Sequence, residues 1–254
     1  MGSGKVSSTP ISTIKKALIS RLKKMADPGL ARSSQRFFSE KIVCYGIRAE
    51  DLRRLCREIY QQVGSSWTVE EALQLAESLL QEDELESRSS GLIILGYFKD
   101  RLGEGHLEKF ASWLKKGHLD NWALIDTFCL EVISPFLLEH PAHLNKMTAW
   151  IEDKNVYLKR AGLVALIKPA RKNLSPAFIF RMANRAVSTK SVEDLVAKAA
   201  GWLLREAGRS NPERLEQFIK RHGKKWPRLT VRYALEKFPA AKRKHLLRIT
   251  KNNP

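Results

Sequence analysis

The amino-acid sequence predicts an all-α protein built from stacked antiparallel helix pairs. Three observations predict it. Apolar residues recur at three- and four-residue intervals from Ile11 onward, no stretch alternates apolar and polar residues as a strand does, and one local pattern returns around Gly91, Gly162 and Gly201.

Met1-Gly2-Ser3-Gly4, followed by Ser7-Ser8, reads as a flexible leader over residues 1–10, ahead of a single repeat domain over residues 11–250. Ile11, Ile14, Leu18 and Leu22 then share one helix face, and Leu52, Leu55, Ile59 and Val63 share another. Further helix starts are signalled by Thr68 before Glu70-Glu71, by Ser175-Pro176, by Ser191 before Glu193-Asp194, and by Asn211-Pro212-Glu213. Each supplies a capping side chain, an N1 proline or early acids where the first N–H groups have no intrahelical acceptor. The chain reads as roughly a dozen helices joined by short turns.

The recurring pattern is Arg88-Ser89-Ser90-Gly91-Leu92, Lys159-Arg160-Ala161-Gly162-Leu163 and Lys198-Ala199-Ala200-Gly201-Trp202. A basic residue sits three positions before a helical glycine, and a small residue sits just before it. Gly162 and Gly201 are 39 residues apart, and Gly91 and Gly162 are 71 apart, which suits paired-helix repeats of about 35–40 residues stacked into a short solenoid. Small residues let neighbouring helices approach closely. Arg160 departs from this frame, because its counterparts are Ser89 and Ala199, and Trp202 stands where the other copies carry Leu92 and Leu163.

With 254 residues, 43% of them hydrophobic, the chain can bury a sizeable core. Forty-five Lys and Arg against 27 Asp and Glu leave a net charge of +18, which argues against an enzyme of small neutral metabolites and for a polyanionic partner. The charge is uneven: residues 201–254 carry 15 basic and 4 acidic side chains, residues 67–90 carry 1 and 7. Charge alone leaves DNA, RNA and an anionic membrane open. Cys44, Cys56 and Cys129 are widely spaced, without a CxxC pair or a Cys/His cluster at metal-ligand spacing, and fit a reduced cytosolic interior. No apolar run approaches the ~20 residues of a membrane span, and no secretory segment opens the chain.

The familiar catalytic signatures are absent: no GxSxG elbow, Walker loop, GxGxxG turn, HExxH helix or deaminase zinc motif occurs. The six histidines fall mostly in turn-like or charged stretches. What remains is Asn121-Trp122-Ala123-Leu124-Ile125-Asp126, which sets an indole and a carboxylate at i and i+4 on one helix face. Taken alone, such a pair is better explained by a core tryptophan and an aspartate that makes a structural hydrogen bond.

Four elements, read together, resemble the bacterial HEAT-like DNA alkylation repair glycosylases in order and spacing. They are Tyr45-Gly46-Ile47 with Leu52-Arg53-Arg54-Leu55; Asn121-Trp122-Ala123-Leu124-Ile125-Asp126; Asn155-Val156-Tyr157-Leu158-Lys159-Arg160-Ala161; and Lys198-Ala199-Ala200-Gly201-Trp202-Leu203-Leu204-Arg205-Glu206. The resemblance covers roughly residues 15–240.

It implies a curved α-solenoid of HEAT-like helix pairs whose concave basic face holds duplex DNA containing cationic N3- or N7-alkylated purines. Trp122 and Trp202 would flank the damaged nucleotide, Asp126 would face the deoxyribose, and Arg160 would contact the backbone, with Phe37, Lys159, Lys198 and Asn121 completing the DNA-binding set. The implied protein is a monomeric, cytoplasmic DNA glycosylase without metal or cofactor. An alkylated purine already carries positive charge and leaves readily, so a carboxylate opposite the developing sugar cation meets the chemical need without a strong general acid. Asn121 stands where catalytic members carry a second tryptophan, and Phe37 where a tyrosine is usual; a non-catalytic binder of damaged or branched DNA is the alternative, and a protein-interaction scaffold a third. The basic stretch from Lys237 to Lys251 is compatible with an ordered helix or with a DNA-seeking tail.

Overall fold

The computed structural model describes residues 9–189 and 191–251, so Met1–Ser8 of the expected leader lie outside the described residues. Those residues are helical, and the one β feature among them is an isolated bridge between Val43 and Glu84. The chain forms two compact units, residues 1–106 and 107–254.

In the first unit run α1 (Ile11–Lys24), α2 (Pro28–Ser34), α3 (Ala49–Val63), α4 (Val69–Leu79) and α5 (Leu85–Gly96). The periodic residues do what their spacing demands: α1 buries Ile14, Leu18 and Leu22, and α3 buries Leu52, Leu55, Ile59 and Val63. Thr68 and Glu71 close a reciprocal capping box at the start of α4. A Cβ at Gly91 would lie 2.9 Å from the Ala76 Cα, so the first copy of the repeated pattern marks the crossing of α5 over α4.

Tyr45-Gly46-Ile47 has a structural explanation. The buried Glu86 carboxylate accepts N–H bonds from Tyr45 (2.9 Å), Gly46 (2.8 Å) and Ile47 (3.0 Å). Gly46 has φ of +81°, and a side chain there would meet the Asp27 carbonyl oxygen at 2.2 Å; only glycine satisfies both demands.

The second unit contains α6 (Gly105–Lys115), most of which lies within it, then α7 (Trp122–Phe128), α8 (Ser134–Glu139), α9 (Met147–Glu152), α10 (Val156–Ala165) and α11 (Ile167–Arg171). It continues through α12 (Pro176–Val187), α13 (Asp194–Ala207), α14 (Pro212–His222), α15 (Arg228–Ala234) and α16 (Ala240–Ile249). A single π-helical turn, Cys129–Ile133, joins α7 to α8. Pro135 lies just beyond it; its ring would crowd the carbonyl four residues earlier, and the wider turn relieves that clash.

Helix α10 packs against α9, α7 and α13, and α13 packs in turn on α12 and α15. A Cβ at Gly162 would lie 2.8 Å from Ile151 Cγ1, and one at Gly201 would lie 2.5 Å from Tyr233 Cβ and 2.7 Å from the Thr230 carbonyl oxygen. The repeated glycines thus mark helix crossings, with one difference: Gly91 and Gly162 face the immediately preceding helix, whereas Gly201 faces α15, two helices further along the chain.

Asn211 caps α14 as its sequence suggests, accepting from Arg214 N at 2.8 Å with Pro212 at N1. Ser175 and Ser191 do not cap. Ser175 takes a left-handed conformation (φ 47°) that turns its side chain away from the helix N–H groups, and α12 starts on Pro176. Ser191 lies too far upstream, because α13 begins at Asp194 after Glu193. In α13 the buried Glu206 gathers Arg171 (2.8 Å), Arg209 (3.2 Å) and Arg205 (3.4 Å). Burial pushes its carboxyl up, but hydrogen bonds from Arg171 and Arg209 and the charges of Arg171 and Arg205 outweigh it and hold the carboxyl below its ordinary range.

Candidate active site

Asn121 starts the site. Its Oδ1 accepts from Ala123 N and Leu124 N, both at 3.1 Å, and its Nδ2 donates to Asp120 Oδ1 at 3.1 Å. The side chain is buried and serves as the N-cap of α7, so its visible role is to set the helix start immediately before Trp122. The resemblance assigned Asn121 to DNA; here its acceptor is committed to the helix.

Trp122 and Asp126 follow on α7, both half-buried and one turn apart. Arg160 reaches Asp126 from α10. Its Nε donates to Oδ1 at 2.9 Å and its Nη2 to Oδ2 at 2.7 Å, a bidentate pair; its Nη1 donates to the Leu195 carbonyl on α13 at 2.8 Å. The Arg160 side chain is 7% exposed and that of Asp126 is 13%. One guanidinium thereby ties three helices together at the carboxylate.

This pairing changes the reading of Arg160. It departs from the small residues of its repeat because it fills a buried gap between α7 and α13. Three of its five N–H donors serve protein acceptors, leaving one on each Nη for a further acceptor. The Asp126 carboxylate likewise keeps about half of its lone-pair sites. Burial pushes the Asp126 carboxyl above its ordinary pKa, and the charge and hydrogen bonds of Arg160 pull against that shift. Beneath the pair, Cys129 is fully buried, its Sγ 3.4 Å from the Ala161 carbonyl oxygen, and burial holds the thiol protonated.

Trp202 stands half-buried on α13, two turns beyond Leu195. Its Nε1 is buried without a hydrogen-bond partner among the described residues. Lys159 is half-buried beside Arg160 on α10, and Lys198 is exposed on α13. The second unit therefore gathers Trp122, Asp126, Arg160 and Trp202 on α7, α10 and α13, with α10 packed against both of the others. Phe37 belongs to the first unit; it is 61% exposed, with the Arg36 guanidinium 4.8 Å from its ring centroid. Among the described residues no cluster of His, Cys, Asp and Glu is placed to hold a metal ion, and no helix is long and apolar enough to cross a membrane.

Sequence reasoning did not foresee the Asp126–Arg160 pair or the Leu195 carbonyl as its third anchor. The available signal was the misfit of Arg160 within the repeat, since a long cation at a small-residue position needs a buried acceptor.

The family model described as DNA alkylation repair enzyme matches residues 18–238 of this chain. A solved structure described as a predicted DNA alkylation repair enzyme from Enterococcus faecalis aligns with a TM-score of 0.72 at 19% identity, over 85% of this chain and 98% of that one. The structures of smu.31 and of AlkD2, both from Streptococcus mutans, each align with a TM-score of 0.56 at 16% identity, over 93% of this chain and 97% of theirs. At these identities the likeness is one of fold. No curated protein matches.

Proposed function

Because this chain belongs to the DNA alkylation repair enzyme family, we propose that it is a DNA glycosylase that hydrolyses the N-glycosidic bond of cationic N3- or N7-alkylated purines in duplex DNA. The observation that carries this reading is the Asp126 carboxylate, held on both oxygens by Arg160 with Trp122 one turn away. As the C1′–N bond breaks, the purine leaves with the bonding electrons and becomes neutral, and positive charge passes to the sugar. A fixed carboxylate of low exposure stabilises that charge without having to reorganise; losing such a group typically costs about 10²–10³ in rate. Water then adds to C1′, with its proton accepted by Asp126 or by solvent.

The indole faces of Trp122 and Trp202 would favour the cationic base by about 0.5–2 kcal/mol each. The two remaining donors of Arg160 suit a backbone phosphate, and Lys159 and Lys198 add charge along the same helices. On this reading the protein acts as a monomer, without metal or cofactor, in a bacterial cytoplasm. The test is release of free 7-methylguanine or 3-methyladenine from methylated duplex DNA. Release that disappears in Asp126→Asn while duplex binding persists supports the assignment; equal release by that variant removes it.

A second reading, a non-catalytic binder of damaged or branched DNA, draws on the same pair, since Arg160 neutralises part of the charge that Asp126 would offer to the sugar. It requires tight, salt-dependent binding with no base released by the wild-type protein.

A further inference from the structure

The basic stretch near the C-terminus is an ordered helix, α16, and its two sides differ in charge balance. On one side Lys242 reaches Glu216 of α14 at 2.8 Å, and Lys220 shares the same carboxylate at 2.7 Å. On the opposite side Ala240, Arg243, Lys244, Leu247 and Arg248 fall together by helical spacing and, with Arg228 and Phe238, line an open groove of about 490 Å³. No carboxylate lines it among the described residues.

Arg228 joins the two walls by donating from Nη1 to the Leu247 carbonyl at 2.6 Å, near the end of α16. The side chains of Arg243 and Lys244 have no ion-pair or hydrogen-bond partner among the described residues, and that of Arg248 meets only the His245 ring, at 3.4 Å. Lys244 and Arg248 are like charges at i and i+4, an arrangement that opposes an isolated helix. α16 thus carries on this side a concentration of cations that nothing among the described residues offsets, beside an apolar floor of Phe238, Ala240 and Leu247.

We propose that this groove between α15 and α16 is a binding site for the sugar–phosphate backbone of DNA, separate from the cluster around Asp126. Phosphate oxygens meet Arg243, Lys244 and Arg248, and the apolar floor receives the deoxyribose. Such interactions carry register and affinity and are indifferent to sequence. The inference rests on the DNA-binding part of the proposed function and is independent of whether a base is released.

The test is therefore binding of an undamaged duplex, measured by fluorescence anisotropy from 50 to 200 mM salt. Removing one cation that pairs with a phosphate should reduce the slope of log affinity against log salt by about 0.9. Arg243→Gln/Lys244→Gln should reduce it by about 1.8, so that its deficit relative to wild type shrinks roughly twelvefold across that range. The double variant Lys220→Gln/Lys242→Gln removes the same charge from the side already paired with Glu216, and should change the slope by less than half as much. Equal slopes for wild type and the groove variant overturn the proposal, as do equal changes in the two double variants, which would mean that net charge alone matters. Lys244→Gln, at an exposed position, keeps the test decisive should the groove double variant fail to fold; it should lower the slope by about 0.9, and no change overturns the site. Failure to release a base from methylated DNA leaves this result untouched and bears on the glycosylase reading alone.

Discussion

Arg160 grips both carboxylate oxygens of Asp126, Nε on Oδ1 at 2.9 Å and Nη2 on Oδ2 at 2.7 Å, and anchors itself on the Leu195 carbonyl. The two residues lie 34 positions apart on separate helices. The pair therefore joins fold and function: the interaction that holds α10 to α7 also orients the one carboxylate on which the proposed chemistry depends.

Removing one partner should be worse than removing both. Arg160→Met leaves Asp126 buried without a counter-charge, and breaking a buried pair in this way costs about 3–5 kcal/mol. For a protein of this size that lowers the thermal midpoint by about 6–20 °C. Arg160→Met/Asp126→Leu, with no orphaned charge, should recover most of the loss in calorimetry while remaining inactive in base release. A double variant as unstable as Arg160→Met alone would refute this account.

Arg160→Lys tests geometry at constant charge. Lysine cannot bridge two carboxylate oxygens and reach the Leu195 carbonyl together, so base release should fall at least about tenfold, with a smaller change in duplex affinity. Single-turnover release and anisotropy separate the two effects.

The pH profile should carry the signature of Asp126. Burial raises its carboxyl pKa against the pull of Arg160, so release should increase with pH through a midpoint above the ordinary aspartate value. Stability moves the other way. The folded state holds this proton more tightly than the unfolded chain, so the group's contribution is fully present below the ordinary aspartate value and is lost as pH rises through the raised one. Asp126→Asn should flatten that part of a denaturation-versus-pH curve; an unchanged slope would assign it to another group.

Asn121 should matter as a helix cap. Asn121→Ala removes the acceptor for Ala123 N and Leu124 N and should cost about 1 kcal/mol, seen as a drop of a few degrees in thermal midpoint, whereas Asn121→Ser, which keeps a capping acceptor without adding a charge beside Asp120, should lose less. Equal losses in both would exclude capping.

Gly201→Ala should destabilise by about 1–3 kcal/mol, because the added Cβ would meet Tyr233 Cβ at 2.5 Å and the Thr230 carbonyl oxygen at 2.7 Å. Gly105→Ala, with nothing within 4 Å of the added atom, is the control and should melt close to wild type.

Much of this molecule was legible in the chain because the signals are local. Ile14, Leu18 and Leu22 lie on one face at any tertiary arrangement, since 3.6 residues per turn is a property of the backbone. Thr68 and Glu71, or Asn211 and Pro212, complete their caps within one turn of their own helix. The exceptions, Ser175 and Ser191, show the limit: Ser175 stands at the N-cap position of α12 but in a left-handed conformation that does not cap, and Ser191 lies three positions before the first residue of α13.

By itself, the sequence determined that the protein is helical, that small residues at Gly91, Gly162 and Gly201 mark close crossings, and that Trp122 and Asp126 share a helix face. Only the tertiary structure decided what Arg160 is for. A guanidinium chooses its acceptor by distance and burial, and which carboxylate lies within 3 Å depends on how α10 packs between α7 and α13. The same holds for α16, where Lys242 finds Glu216 while Arg243 and Lys244, which follow it directly in the chain, face an open groove without a counter-charge. Local periodicity sets which residues turn together; long-range packing sets which charges are satisfied and which remain for a partner.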